Sequence, residues 1–83
     1  MHLTLQQLKL FEAVSRLGSY TRAAEELNIT QPAVSIQIKR LEEQAGLALL
    51  EQVGKKTFLT AAGKAMYEAS LEILDRVEDL RNT

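Results

Sequence analysis

Three features of this 83-residue sequence predict a mainly α fold, a winged helix-turn-helix of three helices and a small β-hairpin wing, followed by one long helix. The first is the stretch from Tyr20 to Leu41, where two apolar patterns of helical spacing flank a short polar turn. The second is the run from Leu49 to Thr60, in which two short extended segments surround Gly54-Lys55. The third is an apolar pattern from Ala61 to about Arg81 with no proline in it. These place a winged helix-turn-helix over 1–60, with the helix-turn-helix at about 20–41 and the wing at about 49–60, and a linker helix for dimerisation over 61–83.

The first helix starts at Thr4, whose side chain and Gln7 three residues later form a capping box, and ends where Gly18 takes the left-handed cap. Leu10, Phe11, Val14 and Leu17 form its apolar side and are assigned to the core. Ser19 and Thr21 stand at the entrance to the second helix, where a hydroxyl caps backbone donors and also reaches a phosphate. Capping alone accounts for both, whereas Arg22 in the same turn is a stronger phosphate candidate. Tyr20, Ala23, Ala24 and Leu27 recur at i, i+3, i+4 and i+7, and the paired alanines let a neighbouring helix approach closely. Asn28 turns the chain, Thr30 caps the third helix, and Pro32 occupies its first turn, where a missing N–H costs nothing.

The third helix, about 31–45, turns Val34, Ile38, Leu41 and Ala45 inward. At about 100° per residue its opposite face carries Pro32, Ala33, Ile36, Lys39 and Arg40, with Gln31 and Ser35 at the margin. A solvated helix face normally carries Glu/Lys pairs. Small, apolar and amide side chains near a helix N-terminus instead suit thymine methyls, adenine edges and the nearest phosphate of a DNA major groove. Gln31 and Gln37 are therefore candidates for amide readout, Ser35 for a base edge or phosphate, and Pro32, Ala33 and Ile36 for apolar contact. Lys39 is placed at the groove, and Arg40 and Thr30 with the phosphates. The plainer alternative is that Ile36 packs under another segment and Gln37 is simply solvated.

In the hairpin, Lys55 and Lys56 stand at the tip, where a wing lies beside a DNA backbone. Lysines also protect exposed edge strands from aggregation, which is the competing explanation. Helical propensity in Leu47-Ala48-Leu49 leaves the start of the first strand open.

Thr60 caps the last helix. Met66, Ser70, Ile73, Val77 and Leu80 form one stripe on it, and Tyr67, Leu71 and Leu74 form a second beside the first. One stripe packs on the domain's own core, so the two together leave apolar surface that a partner helix would cover. A homodimer is expected from this, the alternative being a helix folded wholly onto its own domain. The acidic residues of this helix read as a solvated face.

Leu5-Gln6-Gln7-Leu8 with Phe11 and Val14, the run Gly18 to Ala24, Leu27, Thr30 to Ser35, Gln37-Ile38, Leu41-Glu42, Gly46, Leu49 and Leu59 to Gly63 together resemble the DNA-binding domain of the LysR-type transcriptional regulators. The resemblance covers nearly the whole chain. It implies DNA contact by Gln31, Pro32, Ser35 and their neighbours, and antiparallel linker helices pairing in a two-fold dimer that addresses inverted half-sites on double-stranded DNA. It also implies that effector binding belongs to a large C-terminal domain outside these residues, that the chain is a fragment, and that the intact protein assembles as a dimer or tetramer. Many members carry Phe where Leu50 stands and Arg where Gln52 stands, so a phosphate contact from the first strand of the wing is in question. The run Leu50 to Lys56, with Thr4-Leu5 and Tyr20 to Leu27, looks closest to the CbbR group, regulators of carbon-fixation operons.

Composition bounds the alternatives. A chain this short buries only about 60% of its unfolded surface and is often helped by association. It has no cysteine, hence no disulfide or thiolate metal site, and its longest apolar run, Leu47 to Leu50, is too short to cross a bilayer. No signal peptide is legible, so a cytoplasmic protein without membrane contact is expected. The net charge of −1 divides unevenly. Residues 1–64 hold eight Lys/Arg against six Asp/Glu, while residues 65–83 hold two against five. The acidity belongs to the last helix, and the modest positive balance elsewhere argues that a single copy binds DNA weakly and that tight binding needs two copies.

Catalysis has little to stand on. The single histidine, His2, lies at the chain's start, Glu25-Glu26 and Glu42-Glu43 are adjacent on helices and diverge, and no phosphate-cradling glycine loop is present. No catalytic residue, metal or cofactor is expected. The rival function is a winged-helix protein-interaction module that docks partners through Ile36 and the last helix without reading DNA sequence.

Overall fold

Every helix among the described residues begins at a hydroxyl side chain that accepts a backbone N–H three residues on: Thr4 from Gln7 at 3.0 Å, Ser19 from Arg22 at 3.1 Å, Thr30 from Ala33 at 3.2 Å and Thr60 from Gly63 at 3.0 Å. The computed structural model describes residues 2–83. Its elements are α1 (Leu5–Leu17), α2 (Tyr20–Leu27), α3 (Gln31–Ala45), β1 (Leu50–Val53), β2 (Lys56–Leu59) and α4 (Ala61–Arg81). The capping box at Thr4 is complete, because Gln7 Oε1 accepts the Thr4 N–H at 3.2 Å. Asn28 ends α2 at φ 57°, the left-handed conformation expected of it, and supplies the tight turn between α2 and α3.

The core forms where α1, α2 and α3 meet. Phe11, Val14, Ala23, Val34 and Leu41 are completely buried, and Leu10, Ile38 and Leu49 nearly so. Burial of each large member contributes about 1.5–3 kcal/mol, which is why the helical spacing of these residues selects the fold. Helix α1 is covered on more than one side, since Leu8 and Ala13 are buried in addition to the expected Leu10, Phe11 and Val14. Leu17 is only partly buried against that cluster.

Strands β1 and β2 pair antiparallel in the register Leu50↔Leu59, Glu51↔Phe58, Gln52↔Thr57 and Val53↔Lys56, with Gly54-Lys55 as the turn. The ladder begins at Leu50 because Glu42 takes the backbone ahead of it. Glu42 Oε2 accepts the N–H groups of Leu49 at 2.8 Å and Leu50 at 3.2 Å. Gly46 ends α3 in the left-handed conformation, so the helical propensity of residues 47–49 goes unused.

Helix α4 crosses α1 and presents Gly63, Met66, Tyr67 and Ser70 to its own domain, at i, i+3, i+4 and i+7. A Cβ at Gly63 would stand 1.9 Å from the Leu49 carbonyl oxygen, a measure of how closely the two backbones approach. Met66 and Tyr67 pack against the core, and Ser70 is completely buried, its hydroxyl donating to the Met66 carbonyl at 2.7 Å. This corrects the expectation for Ser70: with no surface of its own left, it does not belong to a dimer interface. Beyond it α4 leaves the domain, with Leu71 and Ile73 each 40% exposed and Leu80 76% exposed. Among the described residues no helix is long and apolar enough to cross a membrane.

Candidate nucleic-acid interface

The outward face of α3 keeps the side chains that its rotation predicts. Gln31, Pro32, Lys39 and Arg40 are exposed, Ala33, Ser35 and Gln37 are half-buried, and Ile36 is 51% exposed. Ile36 therefore does not pack under another of the described segments. Gln31 Nε2 donates to Ser35 Oγ at 2.9 Å, one helical turn along, which joins two of the expected base-contacting groups into a single polar unit. Gln37 is tied inward: its Oε1 accepts Gln7 Nε2 at 3.5 Å.

Two concavities are lined by expected DNA-contacting residues. One, of about 410 Å³, is lined by Tyr20, Gln31, Ser35, Lys39, Glu42 and Gln52. Gln52 pairs with buried Thr57, so period-two alternation turns it to the helix side of the hairpin along with Leu50. Sequence reasoning treated Gln52 only as a missing arginine, whereas its position beside Gln31 and Ser35 makes it a candidate in its own right. Burial raises the pKa of the Tyr20 phenol above its ordinary value, and the Glu42 carboxylate adds to the effect, so that phenol is a neutral hydrogen-bonding group at this edge.

The second concavity, of about 480 Å³, lies between the start of α2 and the wing. Ser19, Arg22, Lys55 and Lys56 all line it, bringing together four of the expected phosphate ligands. Thr21 and Thr30 are exposed near helix starts, and Arg40 is exposed on α3, but none of these three lines that cleft. The Ser19 and Thr30 oxygens are already acceptors in their caps, which leaves their hydroxyl protons free to donate. Arg16 is not available to a phosphate. It bridges Glu12 on its own helix and Glu26 on α2, and its hydrogen bond holds the Glu26 carboxyl below the ordinary carboxylate range.

On α4 the remaining dimer candidates divide. Met66 and Tyr67 are committed in part to the core, Leu74 and Val77 are half-buried, and Leu71, Ile73 and Leu80 are open. An apolar groove of about 500 Å³ adjoins the first half of α4, between Leu47, Leu49, Ala62 and Met66. Among the described residues no group of His, Cys, Asp or Glu is arranged to hold a metal ion.

A helix-turn-helix with a lysine-tipped wing and a protruding terminal helix is the architecture of a bacterial regulatory DNA-binding domain. Residues 5–64 match the model of the bacterial regulatory helix-turn-helix proteins of the lysR family, and the chain belongs to that family. It is 56% identical over 77 residues, 93% of this chain and 25% of the relative, to a RuBisCO operon transcriptional regulator of Acidithiobacillus ferrooxidans. It is 53% identical over 73 residues, 88% of this chain and 24% of the relative, to the protein of the same description from Allochromatium vinosum. The regulator CbbR of Rhodospirillum rubrum is 48% identical over 75 residues, 90% of this chain and 25% of that protein. The expected likeness to the CbbR group thus holds. The chain spans about a quarter of the length of these relatives. Among solved structures, the DNA-binding domain of CbnR in complex with DNA superposes with a TM-score of 0.90 at 35% identity, covering 96% of this chain and 92% of that one.

Proposed function

We propose that this domain binds double-stranded DNA sequence-specifically as a homodimer of a LysR-type transcriptional regulator, α3 of each copy entering the major groove of one half-site. The observation that carries the reading is the joint placement of the Gln31–Ser35 unit, exposed Ile36 and the cleft of Ser19, Arg22, Lys55 and Lys56. Base-reading groups are flanked by phosphate-binding groups, the division of labour that fixes register and reads sequence. The relatives' descriptions support a carbon-fixation operon as the regulated target. The mode of action is cytoplasmic and non-catalytic, and effector response belongs to a C-terminal domain of the intact protein.

The deciding experiment is selection from a random duplex pool followed by sequencing of the retained DNA. Inverted half-sites about one helical turn apart, or a small multiple of it, with affinity falling steeply in salt, are expected. An unenriched pool with negligible binding at low salt would reject the reading and favour protein docking through Ile36 and α4.

A further inference from the structure

Gln7 lies on α1 and is 5% exposed. Its amide is oriented by the backbone. Oε1 accepts the Thr4 N–H at 3.2 Å, and a backbone N–H only donates, so Nε2 is the atom left to face α3. Nε2 in turn donates to Gln37 Oε1 at 3.5 Å, a long hydrogen bond but one with a determined direction. Were Gln37 reversed, two NH₂ groups would face each other and the Gln7 donors would lose their acceptor in a buried place. Among the described residues no buried side-chain nitrogen or oxygen lacks a partner. The polarity of Gln37 is therefore inherited from the Thr4 backbone through Gln7.

We infer that Gln7 is a positioning residue for base specificity, holding Gln37 so that only its NH₂ group faces the groove. The inference rests on the groove-facing reading of α3. A free glutamine pairs with adenine by accepting from N6 and donating to N7 at once. With its oxygen turned toward Gln7, Gln37 presents its NH₂ donors outward, which match the acceptor edges of guanine, N7 and O6, or O4 of thymine. Gln37 thus discriminates against the exocyclic amino groups of adenine and cytosine at the position it reads.

The test is the selection experiment repeated with two variants that reverse this polarity by different routes. Gln7→Glu keeps the capping box, in which Glu and Gln serve equally, but turns a carboxylate oxygen toward α3. Gln37 then reverses to donate to it and presents its carbonyl outward. Gln37→Glu leaves Gln7 intact and presents a carboxylate oxygen directly. Both variants are expected to change the same single base pair, from guanine or thymine to an amino-bearing base, by about tenfold or more in relative selection. Gln37→Ala should flatten that position, and adding Gln7→Glu to it should change nothing further. A uniform loss on all sequences, or a change at different base pairs in the two variants, would overturn the inference while leaving sequence-specific binding intact. A wild-type chain that selects no sequence would overturn both together.

Discussion

The backbone N–H of Thr57 donates to the carbonyl of Gly18 at 3.2 Å, and this bond sets the wing against the turn between α1 and α2. Gly18 takes φ 65° there, the left-handed conformation that lets its carbonyl face the hairpin. Lys55 and Lys56 are consequently held beside Ser19 and Arg22. Replacing both lysines by alanine should weaken binding equally on all sequences and lower the slope of log affinity against log salt by about 0.9 per lost phosphate contact. Anisotropy titrations over a salt series measure this. An unchanged slope would return the lysines to the role of edge-strand protection.

Gly63 sits in the first turn of α4, where alanine ordinarily improves a helix by up to about 1 kcal/mol. Here the added Cβ would meet the Leu49 carbonyl oxygen and carbon at 1.9 and 2.9 Å, both of them backbone atoms held by other bonds. Leu49 accepts the Thr60 N–H at 3.0 Å and donates to Glu42, so neither side yields readily. Gly63→Ala should destabilise by about 1–3 kcal/mol, read as a lower urea midpoint. A raised midpoint would mean that α4 docks more loosely than described.

Glu42 links the reading helix to the wing. Its carboxylate serves the N–H groups of two buried residues, Leu49 and Leu50, and Glu42→Ala would leave both unpaired at about 1–3 kcal/mol each. Glu42→Gln retains an acceptor oxygen and should recover a large part of that loss. Thermal melts of the two variants check the order. Equal melting temperatures would show that the carboxylate is dispensable to the loop.

The Arg16–Glu26 pair gives a pH dependence of known sign. Glu26 titrates below its ordinary value in the folded chain because Arg16 hydrogen-bonds its carboxylate. The pair's stabilisation is therefore present above the ordinary carboxylate pKa and is lost as pH falls through the depressed value. Both side chains are more than 40% exposed, so the effect is small and screened by salt. Glu26→Gln should melt slightly below wild type at neutral pH, and the gap should close in acid. A gap that persists there would assign the difference to something other than this ion pair.

Much of this architecture was legible in the residues because it rests on local rules. Thr4, Ser19, Thr30 and Thr60 cap where hydroxyls before apolar periods predict, and Gly18 and Asn28 terminate helices in the left-handed conformation that they tolerate better than other residues. What escaped depends on contacts distant in sequence. The stripe through Met66, Ser70 and Ile73 is a single helical face by spacing, yet the crossing of α4 over α1 buries Ser70 and opens Ile73. Periodicity counts positions on a helix and is blind to where a neighbouring helix stops. Likewise the placement of Gln52 beside Gln31 needs the hairpin's register and its docking, neither of which a four-residue strand reveals.

The open half of α4 carries the last prediction. Ile73 and Leu80 lie seven residues apart on one stripe and are both exposed in the single chain, at 40% and 76%, although neither is polar. Ser70, the preceding member of that stripe, is completely buried in the domain, and in the proposed dimer a second molecule covers the outer half. Ile73→Asp with Leu80→Asp should leave the helical content unchanged, since neither side chain supports the core, yet halve the mass seen by light scattering. Operator affinity should fall with it, because two half-sites would then be engaged independently and the effective-concentration advantage of the second contact disappears. An unchanged mass would exclude this face as the dimer contact and direct attention to the apolar groove beside Leu47 and Met66.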